Sequence, residues 1–280
     1  MLDRKPCLVV TRKVERQEAR DNSEQRSSDN YVKEESGGRS MLVRSLREEV
    51  LEANLELVAR GLVLYTFGNA SGISRADGLV AIKPSGVPYD KMTAADMVVV
   101  DLEGKIAEGT LRPSSDLATH LLLYKEFAGI GGVVHTHSEY ATSWAQAGLP
   151  IPAFGTTHAD YFYGPVPVTP ELTAEAIQGD YVRNTGLAIV DRFREIDPLA
   201  MPAVLVAGHA PFTWGKTPHD AAHNAVVLEA VARMAYFTTT LRPGCLGVSQ
   251  HLLDRHYFRK HGEAATYGQK RSLQSPDKSA

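Results

Sequence analysis

Two histidines separated by one residue follow a short apolar run near the middle of this 280-residue chain. They are His135 and His137, and the run before them reads GGVV. In an extended strand, residues i and i+2 point to the same face, so the two imidazoles would project side by side. Two neutral imidazoles at that separation can hold one divalent metal ion. Ordinary strand histidines show the same spacing, so further ligands must come from elsewhere in the chain.

Two other residues could complete such a metal site. His209 terminates a second apolar, strand-like run at residues 203–206, and Asp116 stands in the sequence RPSSD before a helix-like segment. Together with the histidine pair they would give three nitrogen ligands and one oxygen ligand, a set that suits zinc or another first-row metal in a catalytic role. An alternative is open for Asp116, because an acid in the first turn of a helix is also stabilising.

Small polar residues follow two β-like runs, which we predict at residues 63–69 and 79–83. The two turns read GNAS and KPSG, and turns of this kind expose backbone N–H groups. With Lys83 nearby, these groups could bind an oxyanion such as phosphate. Ser115 is predicted to cap the next helix, and Ser114 and Ser115 are candidates for the same phosphate. The alternative is that the Gly/Ser segments are only turns.

The elements that must position these residues alternate along the chain. Predicted helices begin at residue 41, after Ser115, near residue 140, after Thr169, at residue 217 and at residue 249, and an amphipathic segment is expected near residues 187–193. Gly61 is expected to end the first helix, and a hairpin is expected over residues 97–107 with its turn at Glu103-Gly104. This alternation predicts an α/β or α+β sheet covered by helices.

Composition excludes several classes of protein. The formal net charge is -3, with both signs mixed along the chain, so we expect no nucleic-acid partner. We expect no membrane partner, because no apolar run approaches membrane-spanning length. Cys7 and Cys245 are the only cysteines, and the N-terminus lacks a signal-peptide core, so the cytoplasm is the expected location. Residues 1–40 are rich in charge and poor in aliphatic side chains, which predicts a disordered extension.

Several separate motifs, in one order, resemble a known family. They are GNASG, IKPSG, PSSD, VVHTHS, GTTHADYFYG and VAGHAPFTWG. In this set the chain resembles the L-ribulose-5-phosphate 4-epimerases of the class II aldolase and adducin-like family. The match covers residues 41–269 and leaves residues 270–280 as a C-terminal tail. The resemblance implies a single α/β domain with a central, largely antiparallel or mixed β-sheet covered by helices.

The resemblance also implies an activity and an assembly. The expected enzyme interconverts L-ribulose 5-phosphate and D-xylulose 5-phosphate by breaking and re-forming the C3–C4 bond, a retro-aldol step followed by an aldol step. One Zn²⁺ per subunit would be held by Asp116, His135, His137 and His209. Small sugar phosphates are the expected substrates, and the expected assembly is a homotetramer with active sites at subunit interfaces.

The remaining site residues are also carried over from the family. By the resemblance, the substrate phosphate is held by Gly68, Asn69, Ser85, Gly86, Ser114 and Ser115, with Lys83 close by and Arg259 as a further candidate. Asp160 and Tyr267 match the acid/base pair, which would come from the adjacent subunit. His256 is expected to orient a neighbouring side chain.

Two positions depart from the family pattern, and two other functions compete. Phe67 stands where tryptophan is frequent, and Gly208 stands where serine often precedes the metal histidine; we expect tuned activity from these changes. The first rival function is a class II aldolase that cleaves a deoxyketose 1-phosphate of the L-fuculose-phosphate type. Asp116 argues against it, because those aldolases typically carry glutamate there.

The second rival function is a non-enzymatic, adducin-like binding module. Such a module would lack the complete set of metal ligands.

Overall fold

The computed structural model describes residues 43–261 and 265–266. From Leu46 onward the described residues belong to one compact unit. The predicted extension at residues 1–40, the predicted tail at residues 270–280 and Tyr267 lie outside the described residues. The domain boundaries therefore stay predictions. Within the described part of the chain, no helix is long and apolar enough to cross a membrane.

Eight helices and seven strands make up the described fold. The helices are α1 at residues 43–59, α2 Leu117–Glu126, α3 Glu139–Gln146, α4 Thr156–Ala159, α5 Ala174–Gln178, α6 Tyr181–Arg192, α7 Pro218–Leu241 and α8 Gln250–Lys260. The strands are β1 Asn69–Ser74, β2 Leu79–Ile82, β3 Val98–Asp101, β4 Ile106–Glu108, β5 Gly132–His135, β6 Ala203–Leu205 and β7 Pro211–Gly215. Most predicted helices and the predicted hairpin are confirmed; Gly104 in its turn has a φ of 85°.

The strands form one seven-stranded sheet in the order β4-β3-β2-β1-β5-β7-β6. Every neighbouring pair in this sheet runs antiparallel. Successive residues of a strand face opposite sides, and β5 illustrates this. Val133 belongs to the large cluster that contains Tyr124 and Trp214, whereas Val134 packs with Leu57 and Ala225. The prediction of an α/β domain with a largely antiparallel sheet is confirmed.

The predicted strand at residues 63–69 is wrong. This segment is a loop, and the strand begins at Asn69, within the predicted GNAS turn. Small residues occupy β1 because helices press directly on it. A Cβ atom added to Gly72 would lie 2.6 Å from a side-chain atom of Pro218 and 3.0 Å from Leu46 and Val50. Close packing, and not a turn, explains the small side chains.

Two predicted helix starts are also wrong. Thr169 caps no helix; its hydroxyl accepts a hydrogen bond from the Ala207 N–H at 3.1 Å, and the next helix starts after Thr173. The Thr169 side chain therefore bonds to a residue far along the chain and does not cap a helix, although the local sequence pattern predicts a cap. The helix after the RPSSD motif has Asp116, not Ser115, at its N-cap position, and Asp116 makes no side-chain capping bond there.

Candidate metal and phosphate site

The candidate site lies at one edge of the sheet, where β1, β5 and β7 meet. In the antiparallel register, His135 at the end of β5 stands opposite Asn69 on one side and Phe212 on the other. His209 lies in the turn that leads into β7, and its N–H donates to the Val206 carbonyl at 3.0 Å. Strand pairing therefore brings residues from three distant parts of the sequence to a common edge.

Three histidines form a cluster at this edge. One ring nitrogen from each of His135, His137 and His209 lies within 4.8 Å of the other two. His135 is buried, His209 is partly buried, and His137 is the most exposed of the three. The Nε2 atoms of His135 and His137 are 3.2 Å apart. Nitrogen ligands that each stand about 2.0–2.1 Å from a tetrahedral ion are separated by roughly this distance. The donor set therefore fits a metal ion.

The tautomer of His135 is set by a backbone contact. Its Nδ1–H donates to the Pro211 carbonyl at 2.9 Å, which leaves the lone pair of Nε2 directed toward His137. The ring also stacks on Phe212, with centroids 4.2 Å apart. A carbonyl partner of this kind is the usual arrangement behind a metal-binding histidine, because it fixes both ring orientation and tautomer.

Burial keeps the three imidazoles neutral. It lowers the pKa of His135 to about 3, against the opposing effect of Asp116, and it also lowers the pKa values of His137 and His209. Neutral imidazole is the form that binds a metal ion, because protonation occupies the lone pair. At neutral pH the cluster therefore presents three ligand nitrogens.

Asp116 lies beside the cluster but outside the group of three nitrogens. Its Oδ2 accepts a hydrogen bond from Asn69 Nδ2 at 2.6 Å. Burial acts to raise the pKa of Asp116, whereas His135, His120 and the Asn69 amide lower it, and the net direction is downward. Burial lowers the pKa of His135 to about 3 and that of His120 to about 4, so both rings are neutral at pH 7, and the Asn69 hydrogen bond still stabilises the carboxylate there. Asp116 is thus an ionised oxygen ligand candidate next to the nitrogens.

One cavity of about 430 Å³ joins this cluster to the predicted phosphate residues. The predicted site residues that line it are Gly68, Asn69, Lys83, Ser85, Gly86, Ser114, Ser115, Asp116, His135, His137 and His209. Thr66 and Pro84 also line the cavity, and sequence reasoning missed both. Interpreting residues 63–69 as a strand hid Thr66, whereas Pro84 stood inside the recognised KPSG turn.

Two loops make the phosphate end of the cavity, and backbone hydrogen bonds hold them together. The Ser114 N–H donates to the Lys83 carbonyl at 3.0 Å, and the Ser85 N–H donates to the Arg112 carbonyl at 2.9 Å. Gly68 has a φ of 81°, and a Cβ atom there would lie 3.1 Å from the His135 carbonyl. Only glycine is compatible with both constraints, so the backbone can approach the metal-binding strand closely.

Lys83 supplies a buried positive charge to the same end. The residue is 2% exposed, and its Nζ donates to the carbonyls of Thr66 and Pro84 at 3.4 and 3.3 Å. Burial lowers its pKa. Nζ also lies 4.7 Å from the ring centre of Tyr89. Among the described residues no carboxylate pairs with it, so the ammonium is suited to an anionic ligand.

The structure places the predicted residues Asp160 and Arg259 in a different cluster. Asp160 accepts from Arg259 Nε and Nη2 at 3.1 and 2.8 Å and from His256 Nδ1 at 3.0 Å, while Lys260 Nζ lies 3.6 Å away. Burial acts to raise the pKa of Asp160, but these partners lower it overall. Neither Asp160 nor Arg259 lines the 430 Å³ cavity. Within one chain, the candidate metal ligands and the candidate phosphate-binding residues therefore line the same cavity, and Asp160 lies outside it.

The antiparallel α/β fold carries a histidine cluster whose donor atoms fit a metal ion, and sequence comparison gives the family. The family described as Class II Aldolase and Adducin N-terminal domain matches residues 48–236, and the chain belongs to it. The L-ribulose-5-phosphate 4-epimerase UlaF of Salmonella paratyphi A (strain ATCC 9150 / SARB42) is 54% identical over 228 residues, which are 81% of this chain and 100% of the relative. The UlaF protein of Salmonella typhi gives the same values.

Solved structures agree with the fold. An L-fuculose 1-phosphate aldolase superposes with a TM-score of 0.65 at 24% identity, covering 77% of this chain and 95% of the aldolase. The L-fuculose-1-phosphate aldolase from Thermus thermophilus has a TM-score of 0.56 at 25% identity, covering 72% of this chain and 98% of the aldolase. The predicted fold, the predicted family and the prediction of an isomerase-class enzyme are confirmed by these comparisons.

Proposed function

We propose that this protein is a zinc-dependent epimerase that interconverts L-ribulose 5-phosphate and D-xylulose 5-phosphate. The observation that carries the proposal is a single cavity with three histidines at one end and Lys83 between Gly/Ser loops at the other. A sugar phosphate would place its sugar at the histidine end and its phosphate at the Lys83 end, so this ligand class would use both ends of the cavity. The 54% identity to UlaF over its whole length supports this choice of substrate. The cytoplasm is the proposed location.

The reaction needs carbon–carbon bond cleavage because C4 of the substrate carries no acidic proton. Loss of the proton from the C4 hydroxyl and breakage of the C3–C4 bond leave the enediolate of dihydroxyacetone and glycolaldehyde phosphate. Rotation of the aldehyde and re-formation of the bond on its other face invert C4, and the hydroxyl proton returns. A bound divalent ion supplies Lewis-acid stabilisation where negative charge develops.

The residues of the cavity have separate proposed tasks. His135, His137, His209 and Asp116 hold the metal, and the tautomer of His135 is already set by Pro211. Asn69 lies between Asp116 and the substrate space. Its Nδ2 donates a hydrogen bond to Asp116, and its Oδ1 is buried without a partner among the described residues. We propose that this oxygen accepts a hydrogen bond from the substrate, since an unsatisfied buried acceptor is costly.

The phosphate is the part of the substrate assigned to the other end. Lys83 contributes the charge, and the backbone N–H groups and hydroxyls of the two loops contribute directional hydrogen bonds. The residues proposed for this task are Gly68, Ser85, Gly86, Ser114 and Ser115. Arg259 stays a candidate for phosphate contact. Because it does not line the cavity of its own chain and is bonded there to Asp160, we propose that it would serve the cavity of a neighbouring subunit.

We propose that Asp160 and Tyr267 of an adjacent subunit provide the acid/base pair of a cyclic homotetramer. The position of Asp160 outside the cavity of its own chain is what a shared site requires. Exposed apolar side chains near the end of α7 favour burial against another copy: Met234, Tyr236 and Phe237 are 52, 51 and 44% exposed. A head-to-tail ring would bring each cavity to a neighbour's Asp160.

Aldolase activity on a deoxyketose 1-phosphate is the second candidate, favoured by the likeness to L-fuculose 1-phosphate aldolases. The experiment that separates the two is a direct assay. Purified protein loaded with Zn²⁺ is incubated with L-ribulose 5-phosphate and, separately, with L-fuculose 1-phosphate. We expect D-xylulose 5-phosphate from the first substrate and no aldehyde release from the second, with His137→Asn as the inactive control. Aldehyde release alone would establish the aldolase, and activity with neither substrate would favour an adducin-like binding role.

A further inference from the structure

Helix α3 starts directly after the histidine pair, and its own N-cap residue does not cap it. The first N–H groups of a helix lack partners within the helix and usually bond to an N-cap side chain. Ser138 occupies the N-cap position but makes no side-chain capping bond. Its hydroxyl accepts instead from Thr136 Oγ1 at 3.4 Å, within the segment that carries His135 and His137.

The missing acceptors come from a different helix. Glu229 of α7 accepts the Tyr140 N–H on Oε1 at 2.8 Å and the Ala141 N–H on Oε2 at 2.9 Å. Both oxygens of one half-buried carboxylate thus serve two consecutive N–H groups. A negative charge at a helix N-terminus is also favourable for the helix dipole. Glu229 therefore does across 89 residues of sequence what an N-cap side chain ordinarily does locally.

The other end of α3 is tied to the third histidine. The Gly208 N–H donates to the Ala145 carbonyl at 3.0 Å, and His209 follows immediately. His137 thus stands just before the first turn of α3, while His209 adjoins the residue bonded to its last turn. A shift of α3 would move both segments relative to each other.

We propose that Glu229 is a positioning residue for the histidine cluster. By fixing the first turn of α3, its carboxylate holds the separation between His137 and His209 at the value a metal ion requires. Glu229 does not line the cavity, so it acts through the helix and not on the substrate. The inference rests on the proposed metal site.

The test compares two variants that each remove one contact between α3 and α7. Glu229→Gln keeps the shape but replaces one acceptor oxygen with an NH₂ group, leaving one N–H of the first turn without an acceptor. Trp144→Phe is the matched control, because it removes the 3.0 Å bond from Trp144 Nε1 to the Ala232 carbonyl and leaves the first turn intact. Co²⁺ is the probe, since its visible absorption reports coordination geometry and its dissociation constant is measured by chelator competition.

We expect the Co²⁺ dissociation constant to rise about tenfold in Glu229→Gln, with an altered visible spectrum, and to change by less than about twofold in Trp144→Phe. An unchanged constant and spectrum in Glu229→Gln would overturn the proposal. Equal weakening in both variants would also overturn it, because general loosening of α3 would then suffice. Failure of the unmodified protein to bind Co²⁺ or Zn²⁺ would instead refute the metal site itself.

A second measurement needs no variant. Coupling between two sites is reciprocal, so metal binding must stabilise the first turn of α3 if that turn stabilises the metal. Hydrogen exchange of the Tyr140 and Ala141 amides should therefore slow by about tenfold when Co²⁺ saturates the unmodified protein. Exchange rates that are the same with and without Co²⁺ would overturn the role of Glu229 even if Glu229→Gln fails to fold.

Discussion

Replacement of Lys83 by methionine should weaken catalysis while leaving the fold at least as stable. The ammonium is buried, and among the described residues it is bonded to the Thr66 and Pro84 carbonyls and not to a carboxylate. A hydrogen bond to a charged partner contributes about 1.5–3 kcal/mol, so losing it to the phosphate should lower kcat/KM roughly ten- to one-hundredfold. Because the phosphate is held before and during the reaction, the loss should appear mainly in KM.

The stability of the same variant should change in the opposite direction. Methionine fills a similar volume without a desolvated charge, so we expect the free energy of unfolding to rise by about 1 kcal/mol and Tm to rise by roughly 2–4 °C.

The pH dependence of stability follows from the pKa of Lys83, which burial lowers in the folded protein below its ordinary value of 10.5. Between the folded and the unfolded pKa the unfolded chain binds more protons, so stability of the unmodified protein rises with pH there. Lys83→Met should lack this rise.

The assay measures kcat and KM for L-ribulose 5-phosphate and for L-ribulose at very high concentration. Lys91→Met, which changes an exposed lysine on the short helical turn Tyr89–Lys91, is the matched control. We expect Lys83→Met to lose activity only toward the phosphorylated sugar. Equal losses on both sugars, or a marked fall in Tm, would show that Lys83 supports the fold and not the phosphate.

Three further predictions concern the metal, the subunit boundary and the N-terminal residues. His137→Asn should weaken Zn²⁺ binding by at least about tenfold, measured as metal content after dialysis; undiminished zinc would show that His137 is not a metal ligand. Co-expressed His137→Asn and Tyr267→Phe subunits, each inactive alone, should recover activity at about a quarter of interfaces if the site is shared. Verified mixed tetramers without activity would assign the site to one subunit. Deletion of residues 1–40 should leave turnover and solubility unchanged, and a large fall in either would show that they pack against the domain.

Local patterns were sufficient for the elements whose ends are decided by neighbouring residues. Helix α7 begins at Pro218 after Thr217, as its sequence predicts, because the Thr217 hydroxyl accepts from the Asp220 N–H three residues on. The two-residue period of a strand predicts that His135 and His137 share a face. Strand β5 ends at His135, and the rings still lie together beyond its end, with centroids 4.9 Å apart. The family motifs added the phosphate candidates, because the glycines and serines stand in a fixed order along the chain.

Tertiary structure decided what depends on residues far apart in sequence. The GNAS segment reads as a turn, yet its residues from Asn69 onward begin the central strand β1, where Ala70 packs with Leu57 of α1 and Ala221 of α7. Thr169 bonds to Ala207 and not to its own helix. The cap of α3 comes from Glu229, and no local pattern could have predicted it. Asp160 comes from the same set of family motifs as the cavity residues, so the sequence does not show that it lies apart from them. The fold places it away from the cavity, where it is bonded to Arg259 and His256 of α8.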